Sequence, residues 1–299
     1  MRAAAALALG VVALAGGWRS AAPLPVPRTE VAAARLGGEI VVVGGFTADG
    51  ANSARVDAYS PGRNRWRRLP NLPAAVDHAM AASYFGRLYV LGGYGADRQP
   101  RRAAYVFSHG RWKAIAPMPQ PRAAAGAAVV HRTLYVAGGR TTNGLASRML
   151  ALNLRTGRWR MVPGPTPREH LAVTGGGGCL YALAGRLAGA DTNLRTFESY
   201  CPEDRRWRRL PEIPAARGGT AAAVAGKFVV SVGGEQPGGT IGSVYAYNTK
   251  THRWLRLSDL PTPRHGLGLV VYHGRVYAVG GGPQPGLFVS GANEYLLVG

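Results

Sequence analysis

The 299-residue chain is poor in several residue types, and each scarcity narrows its class. Two cysteines are too few for a disulfide-dense scaffold or a cysteine-rich zinc domain. Only 15 acidic residues oppose 36 basic ones, which gives a formal net charge of +21. Beyond the first residues, no apolar run approaches the length of about 20 residues that a membrane-spanning helix needs. These scarcities exclude a disulfide scaffold and a protein with several membrane spans.

Motifs of common enzyme classes are also missing. The chain has no Gly-x-Ser-x-Gly elbow, no His-Glu-x-x-His and no phosphate-binding glycine loop. The glycine run at 175–178 lies between two predicted strands with no helix after it, so a turn is expected there. The two cysteines are not accompanied by a Cys/His cluster. We therefore expect neither a metal site nor a cofactor.

The first residues have the pattern of a secretory signal peptide. A positive start is followed by an apolar run, Ala3 to Ala15, and then by small residues. We expect residues 1–17 to be a signal peptide, with cleavage after Ala15 or Gly17, and residues 18–299 to form a single domain. The protein would then be exported to the periplasm, the cell surface or the medium without a membrane anchor. An uncleaved anchor is the alternative.

The basic residues are almost all arginine, since only three of the 36 are lysine. Two tracts, residues 63–68 and 205–209, are the densest, and both occupy the same phase of the repeat described next. GC-rich coding would give such a bias, and so would attraction to an anionic polysaccharide, lipid surface or nucleic acid. Because the phase recurs, a solvated outer edge is favoured, and no specific nucleic-acid binding is expected.

A repeat of about 47 residues runs through the chain. Tryptophans recur at intervals of 46 to 48 residues, and they are Trp18, Trp66, Trp112, Trp159, Trp207 and Trp254. Gly-Gly doublets keep the same interval, at 44–45, 92–93, 138–139, 233–234 and 280–281, with Ala184-Gly185 in the remaining unit. Seven residues before most of the tryptophans stands a tyrosine: Tyr59, Tyr105, Tyr200 or Tyr247. Each unit is predicted to form four short strands, with the doublet ending the second.

This pattern resembles the kelch repeat, in which a hydrophobic strand ends in Gly-Gly and is followed by tyrosine and then tryptophan. The resemblance extends over residues 18–299. It implies an all-β, six-bladed propeller of four-stranded antiparallel blades around a central channel. The sixth unit, marked by Tyr295, ends before a tryptophan arrives. Trp18 has the right phase to supply it, so the N-terminal strand is predicted to close the ring and leave no open sheet edge. Each tryptophan is expected to wedge between adjacent blades.

The resemblance also suggests a binding site. In ligand-binding kelch domains an arginine at the start of the first strand points into the channel mouth. The residues in or near this phase are Arg28, His78, Arg122, Arg168, Arg217 and Arg264. A ring of guanidinium groups would bind carboxylate, sulfate or phosphate. The alternative is that these arginines hold the blades together by hydrogen bonds to loop carbonyls.

Candidates for catalysis are few. Glu169, His170 and His265 lie near the same phase, but Glu169 and His170 are adjacent and would point to opposite faces of a regular strand. The family includes galactose oxidase, whose copper-radical residues are not grouped here, and a periplasmic sialic-acid mutarotase with arginines in its pocket. The fold alone does not establish either activity.

The two cysteines, Cys179 and Cys201, are expected on neighbouring antiparallel strands of the fourth blade, as a disulfide or as two separate thiols. The first functional hypothesis is an exported, monomeric binding protein for an anionic ligand, glycan, peptide or protein at an arginine-lined mouth. A sugar-acid mutarotase or epimerase is the enzymatic alternative. A structural surface protein without a small ligand is the third.

Overall fold

A computed structural model of the protein describes residues 17–298. Six four-stranded antiparallel sheets form the blades of a propeller, which confirms the predicted all-β kelch-type fold. The cleavage region and the apolar run of the predicted signal peptide, residues 1–16, lie outside the described residues. Within residues 17–298, no helix is both long and apolar enough to cross a membrane.

The strands follow one another blade by blade, and each blade is built from the channel outward. Strand β1 (Arg19–Ser20) comes first in the chain. The first blade contains β2 (Ala32–Leu36), β3 (Glu39–Val43), β4 (Val56–Ser60) and β5 (Arg65–Leu69), and the second β6 (Met80–Tyr84), β7 (Arg87–Leu91), β8 (Ala104–Ser108) and β9 (Arg111–Ala114). The third contains β10 (Gly126–Val130), β11 (Thr133–Ala137), β14 (Arg148–Asn153) and β15 (Trp159–Pro163), with a small hairpin of β12 (Arg140–Thr141) and β13 (Gly144–Leu145) in its loop.

The remaining three blades repeat this order. The fourth contains β16 (Ala172–Gly176), β17 (Cys179–Leu183), β18 (Phe197–Cys201) and β19 (Arg206–Arg209), with a short 3-10 helix at Ala190–Thr192. The fifth contains β20 (Ala221–Ala225), β21 (Phe228–Val232), β24 (Val244–Asn248) and β25 (Arg253–Leu257), with a loop hairpin of β22 (Glu235–Gln236) and β23 (Gly239–Thr240). The sixth contains β26 (Gly268–Tyr272), β27 (Arg275–Val279), β28 (Asn293–Leu297) and β1.

Blade packing explains the composition of the two inner strands. The second strand is covered by blades on both sides, so Ile40 to Val43 in β3 are fully buried. The innermost strands crowd around the channel and are rich in alanine and glycine. A Cβ at Gly126 of β10 would lie 2.5 Å from Cβ of Val173 in the next blade, so a larger residue cannot fit there.

The N-terminal strand closes the ring as predicted. Strand β1 pairs antiparallel with β28, with Arg19 opposite Tyr295 and Ser20 opposite Glu294. The amide of Ala21 extends this pairing by donating to the carbonyl of Asn293 at 2.8 Å. The first and the last strand of the described residues therefore meet in the sixth blade.

The tryptophans join neighbouring blades. Every indole N–H donates to a backbone carbonyl of the preceding blade at 2.8–3.0 Å. In chain order from Trp18, the acceptors are Ser258, Ala22, Pro70, Ala116, Pro163 and Pro211. In four blades the tryptophan lies opposite the residue seven positions before it, but Trp112 lies opposite Phe107 and not Tyr105. The hairpin between β8 and β9 is shorter than its counterparts, which shifts the register by two residues.

A disulfide joins Cys179 at the start of β17 to Cys201 at the end of β18, with 4.2 Å between the Cα atoms. The adjacent pair in the ladder is Leu180 and Tyr200, so the two cysteines extend the register of these strands by one pair. Of the two arrangements that the sequence left open, the bonded one is found.

Candidate functional site at the channel mouth

A closed ring of backbone hydrogen bonds surrounds one mouth of the channel. Each blade contributes the residue that lies two positions before the start of its innermost strand, and these ring positions are Glu30, His78, Ala124, His170, Gly219 and Gly266. From His78 onward, each amide donates to the carbonyl of the ring residue in the preceding blade at 2.9–3.2 Å. The amide of Val31 closes the ring by donating to Gly266 at 3.1 Å.

All six ring positions have a positive φ, between 48° and 63°. Residues with a side chain rarely adopt this left-handed backbone conformation, whereas glycine adopts it freely. Polar residues nevertheless hold three of the positions: Glu30, His78 and His170. The small residues at the other positions leave room for them, because a Cβ at Gly266 would lie 2.6 Å from Glu30 Oε1. Non-glycine residues in such conformations are often found at functional sites.

A cavity of about 600 Å³ opens next to the ring. Its charged and ionisable lining residues are Glu30, His78, Arg98, Arg140, Glu169, His170, Arg186, Glu235 and His265. The aromatic rings of Phe46 and Tyr94 complete one wall. The size is within the range of small-molecule sites, and several polar groups converge on it.

The deepest part of this cavity is a cluster of imidazoles and carboxylates. His78 Nε2 lies 2.9 Å from His170 Nε2 and 3.1 Å from Glu30 Oε2. Glu30 Oε1 lies 3.0 Å from His265 Nδ1. Glu30, His78 and His170 each offer one metal-ligand atom, and these atoms lie within 4.8 Å of one another.

Carboxylates also face the other nitrogen of two imidazoles. His78 Nδ1 is hydrogen-bonded to Asp77 Oδ1, and His170 Nδ1 lies 3.4 Å from Glu169 Oε1. Both histidines are therefore oriented with Nε2 towards the centre of the cluster. The hydrogen bond to Asp77 fixes the orientation of His78, and the contact with Glu169 favours that of His170.

The cluster shifts the pKa of its members in different directions. Burial disfavours the ionised form of Glu30, but the charge of His78 and the hydrogen bond to His265 outweigh it and lower the pKa of Glu30. Burial acts to lower the pKa of His78, but Glu30 and Asp77 reverse the effect and raise it. Burial lowers the pKa of His170, since its contact with Glu169 does not compensate. Groups perturbed in this way within a cleft are typical of functional sites.

Three arginines surround the cluster, and they differ in exposure. Arg186 is mostly buried, pairs with Glu235, and places Nη2 3.1 Å from His170 Nε2. The side chains of Arg98 and Arg140 are 54% and 41% exposed. Arg98 donates to Asp77 at 3.0 Å and packs on the ring of Tyr94. Arg140 lines the cavity and reaches Glu169 only at 3.4 Å, which is the one hydrogen bond of its side chain among the described residues.

The five arginines that were expected to line the mouth are completely buried inside the blades. Arg168 is typical, because it donates to the carbonyls of Ala182 and Ala184 and pairs with Glu198 at 2.6 Å. Burial lowers the pKa of Arg122 and Arg217 to about 10. The expected position of Arg28, Arg122, Arg168, Arg217 and Arg264 is therefore corrected. They hold strand ends and loops together, which is the architectural alternative.

The other candidates do lie in the mouth: His78, Glu169, His170 and His265. The expectation that Glu169 and His170 point to opposite faces is wrong. It assumed a regular strand, whereas the positive φ of His170 turns its side chain to the same side as that of Glu169.

Sequence reasoning missed Arg98, Arg140, Arg186 and Glu235. Three of them directly follow the Gly-Gly doublet or its equivalent, as Phe46 and Tyr94 do. In every blade this residue forms an isolated bridge with the residue just before the ring position, for example Arg186 with Glu169. The phase of the doublets could therefore have identified most of the lining.

Comparison with known proteins gives a consistent result. The KLHDC2/KLHL20/DRC7 Kelch-repeats domain matches residues 111–282, and the Kelch motif matches residues 27–73. Kelch-like protein terF of Aspergillus terreus is 33% identical over 230 residues, which cover 70% of this chain and 50% of that protein. Kelch-like protein 40 of Mus musculus is 30% identical over 216 residues, which cover 68% of this chain and 35% of that protein.

The chain thus spans half of the first relative and about a third of the second. Among solved structures, that of YjhT superimposes with a TM-score of 0.79 over 91% of this chain and 95% of the other. Its sequence identity of 15% is too low to indicate more than a shared fold.

Proposed function

Since the chain belongs to the kelch-repeat family, we propose that it is a binding propeller whose channel mouth holds the carboxylate group of a ligand. A kelch-repeat propeller is consistent with a role in protein interaction. The finer proposal depends on one observation, which is that Arg98 and Arg140 stand half-exposed at the edge of a polar cavity of about 600 Å³. Guanidinium groups in this setting offer paired donors to a carboxylate.

The other charges of the mouth support this assignment. Arg186 is already paired with Glu235, so it contributes less to binding an anion than the two outer arginines do. Arg140 has only its long contact to Glu169, and a ligand carboxylate would compete well for its remaining donors. The proposed anchor thus moves from the buried arginines of the repeat to two arginines of the loops.

The test is a binding titration with sialic acid, glucuronic acid and a short glutamate-rich peptide as probes. We expect the wild type to bind one class of probe, and the double variant Arg98→Ala, Arg140→Ala to bind it at least 10-fold more weakly. The matched control is Arg63→Ala with Arg206→Ala, which removes the same charge from exposed positions in the turn before β5 and at the start of β19. The sugar acids and the peptide distinguish a small ligand from a segment of a protein partner.

Two results would contradict the proposal. The first is no binding of any probe by the wild type. The second is equal weakening by both double variants, which would indicate attraction to the basic surface as a whole. Affinity for that surface should also fall steeply with salt.

A sugar-acid mutarotase is the second candidate, because Glu169 and His265 line the cavity that would receive the sugar. A catalytic group must come within about 3 Å of the atom that exchanges a proton. NMR of sialic-acid anomerisation with and without the protein would test this candidate. Acceleration by the wild type that is lost in Glu169→Gln would replace the binding role with an enzymatic one, and an unchanged rate would remove the candidate.

We also propose that the protein is exported. The leader-like pattern of residues 1–17 and the Cys179–Cys201 disulfide support this, because disulfides persist mainly in oxidising compartments. Expression in a bacterial host with a C-terminal tag, followed by fractionation and N-terminal sequencing, should give a periplasmic protein that begins at or before Trp18. Deletion of residues 3–15 should retain the protein in the cytoplasm, and equal distribution of both forms would refute export.

A further inference from the structure

The three polar residues of the backbone ring bring their imidazole nitrogens and carboxylate oxygens close together. Glu30 belongs to the first blade, His78 to the second and His170 to the fourth, so three separate blades bring these groups together. His78 Nε2 lies 2.9 Å from His170 Nε2 and 3.1 Å from Glu30 Oε2. Ligands of a tetrahedral zinc ion at 2.0–2.1 Å are separated by about 3.3–3.4 Å, so these two pairs need to move apart by only a few tenths of an ångström. The ligand atoms of all three residues lie within 4.8 Å of one another.

We propose that Glu30, His78 and His170 form a binding site for a divalent transition-metal ion, with Zn²⁺ as the best match. Two imidazole nitrogens and one carboxylate oxygen are a known ligand set of open zinc sites, in which the fourth position is left for water or a ligand. All three residues line the cavity of about 600 Å³, which gives such a ligand access to them. The site goes beyond the carboxylate-binding role and does not depend on it.

The surroundings of the two histidines support metal binding. A metal-bound imidazole usually donates its other N–H to a carboxylate, which fixes its orientation and tautomer. His78 has this arrangement with Asp77, and His170 has it with Glu169 at 3.4 Å. His170 Nδ1 is buried and, among residues 17–298, has no partner within hydrogen-bond geometry. If Nε2 of His170 binds a metal, its Nδ1 must be protonated, and this N–H would then point to the Glu169 carboxylate.

The backbone also supports the site. A positive φ at all three positions holds the side chains over the channel axis, and Gly266 leaves space for the Glu30 carboxylate. This rigid support is what a preformed metal site requires. A random surface group of histidines would not share one backbone ring.

Among residues 17–298, Arg186 is the one arginine in direct contact with the ligand set, since its Nη2 lies 3.1 Å from His170 Nε2. Metal entry must displace this contact. The guanidinium keeps its pairing with Glu235 when it does so, and Glu169 lies 3.5 Å from its Nε. The other charged groups that face the cluster are Asp77 and His265, and the carboxylates outnumber the guanidinium in this inner group.

The experiment is a titration of the metal-free full-length protein with Co²⁺, followed by visible absorption, and with Zn²⁺, followed by calorimetry. We expect one equivalent to bind. His78→Asn and Glu30→Gln should each weaken binding by more than 100-fold, because each removes one of three ligands. Asparagine tolerates positive φ and glutamine is isosteric with glutamate, so the backbone ring should persist. Asp77→Asn should keep the stoichiometry and weaken binding by about 10–100-fold.

The matched control is His109→Asn. His109 also has a positive φ, of 51°, but is exposed in the hairpin turn between β8 and β9. The His109→Asn variant should bind metal as the wild type does. Arg98→Ala with Arg140→Ala removes guanidinium contacts of Asp77 and Glu169 but no metal ligand, so this variant should still bind one equivalent, which separates this site from the carboxylate proposal. Circular dichroism checks that each variant is folded, and Glu30→Gln alone decides the test if His78→Asn is not. Absence of binding by the wild type, or unchanged binding by folded Glu30→Gln, overturns the proposal.

Discussion

Two positions of each repeat, only two residues apart, differ sharply in their role. The earlier position holds arginine in five blades, and these side chains are completely buried among backbone carbonyls and acidic partners. The later position is the ring position, where the six blades carry Glu, His, Ala, His, Gly and Gly. The backbone is the same in all six, with a positive φ and one inter-blade hydrogen bond.

The difference shows how a repeat separates architecture from function. A residue that recurs in every unit meets a requirement that every unit shares, which here is the attachment of loop carbonyls to the blade. A position whose backbone recurs but whose residue varies is free to differ from blade to blade. The polar cluster of the mouth is built from such varied positions.

Loss of a recurring arginine should lower the stability of the protein more than any other substitution considered. Arg168→Ala leaves the buried Glu198 carboxylate without its guanidinium partner, and we expect a cost of about 3–5 kcal/mol in the free energy of unfolding, measured by denaturant titration. The matched ring variant, His170→Asn, should cost less than about 1 kcal/mol. Similar costs for the two variants would break the comparison.

The disulfide occurs in one blade only, yet we expect it to be architectural. Cys179→Ser with Cys201→Ser releases a link between residues 22 apart in sequence, which should cost about 3 kcal/mol. Denaturant titration of this variant measures the cost, and intact mass after alkylation with and without reduction confirms the bond in the parent. A loss of binding at the mouth without loss of stability would contradict this assignment.

The recurring tryptophans should act on stability alone. Trp159→Phe keeps most of the apolar contact but removes the N–H that donates to Ala116 at 2.8 Å, so we expect a cost of about 1–2 kcal/mol. Thermal and denaturant unfolding measure the cost, and probe binding should be unchanged. An altered affinity at the mouth would place this recurring residue on the functional side of the comparison.

The substitution with the smallest expected effect on the free energy of unfolding should increase it, whereas the others lower it. Ala124 occupies a ring position at φ 51°, where a Cβ costs about 1–2 kcal/mol. Ala124→Gly relieves this cost but gains freedom in the unfolded chain, so we expect a change between zero and about 1 kcal/mol towards greater stability. Ala128→Gly in β10 is the control and should be destabilising. Equal losses for both would show that the ring backbone is not strained.

Much of the fold could be predicted from the sequence, because its markers recur in phase. The spacing of tryptophans and glycine doublets gives the number of blades, and the phase of Trp18 gives the closing strand. The role of the arginines was harder to predict. Their partners are mostly backbone carbonyls, such as those of Ala182 and Ala184, and such acceptors have no side-chain signature in the sequence.

The convergence of Glu30, His78 and His170 on one point was not predicted, although the sequence had indicated His78 and His170 as candidates near the mouth. Glu30 and His170 lie 140 residues apart in sequence, and nothing local to either residue indicates the other. The ring also requires a left-handed backbone at non-glycine residues, which propensity does not predict. The phase of the repeats places Glu30, His78 and His170 near equivalent positions, but it does not give the distances between their side chains.

Closure by β1 has a consequence for how the protein is made. The ribosome produces β1 first and its partner β28 last, so the two-residue ladder between them cannot form until almost the entire propeller has been synthesised. Earlier blades can fold in succession, but the outer side of the sixth blade has to wait. Until β28 has been synthesised, the chain would thus carry an unpaired β1 and an incomplete ring. The last step of folding would be the pairing of β28 with β1.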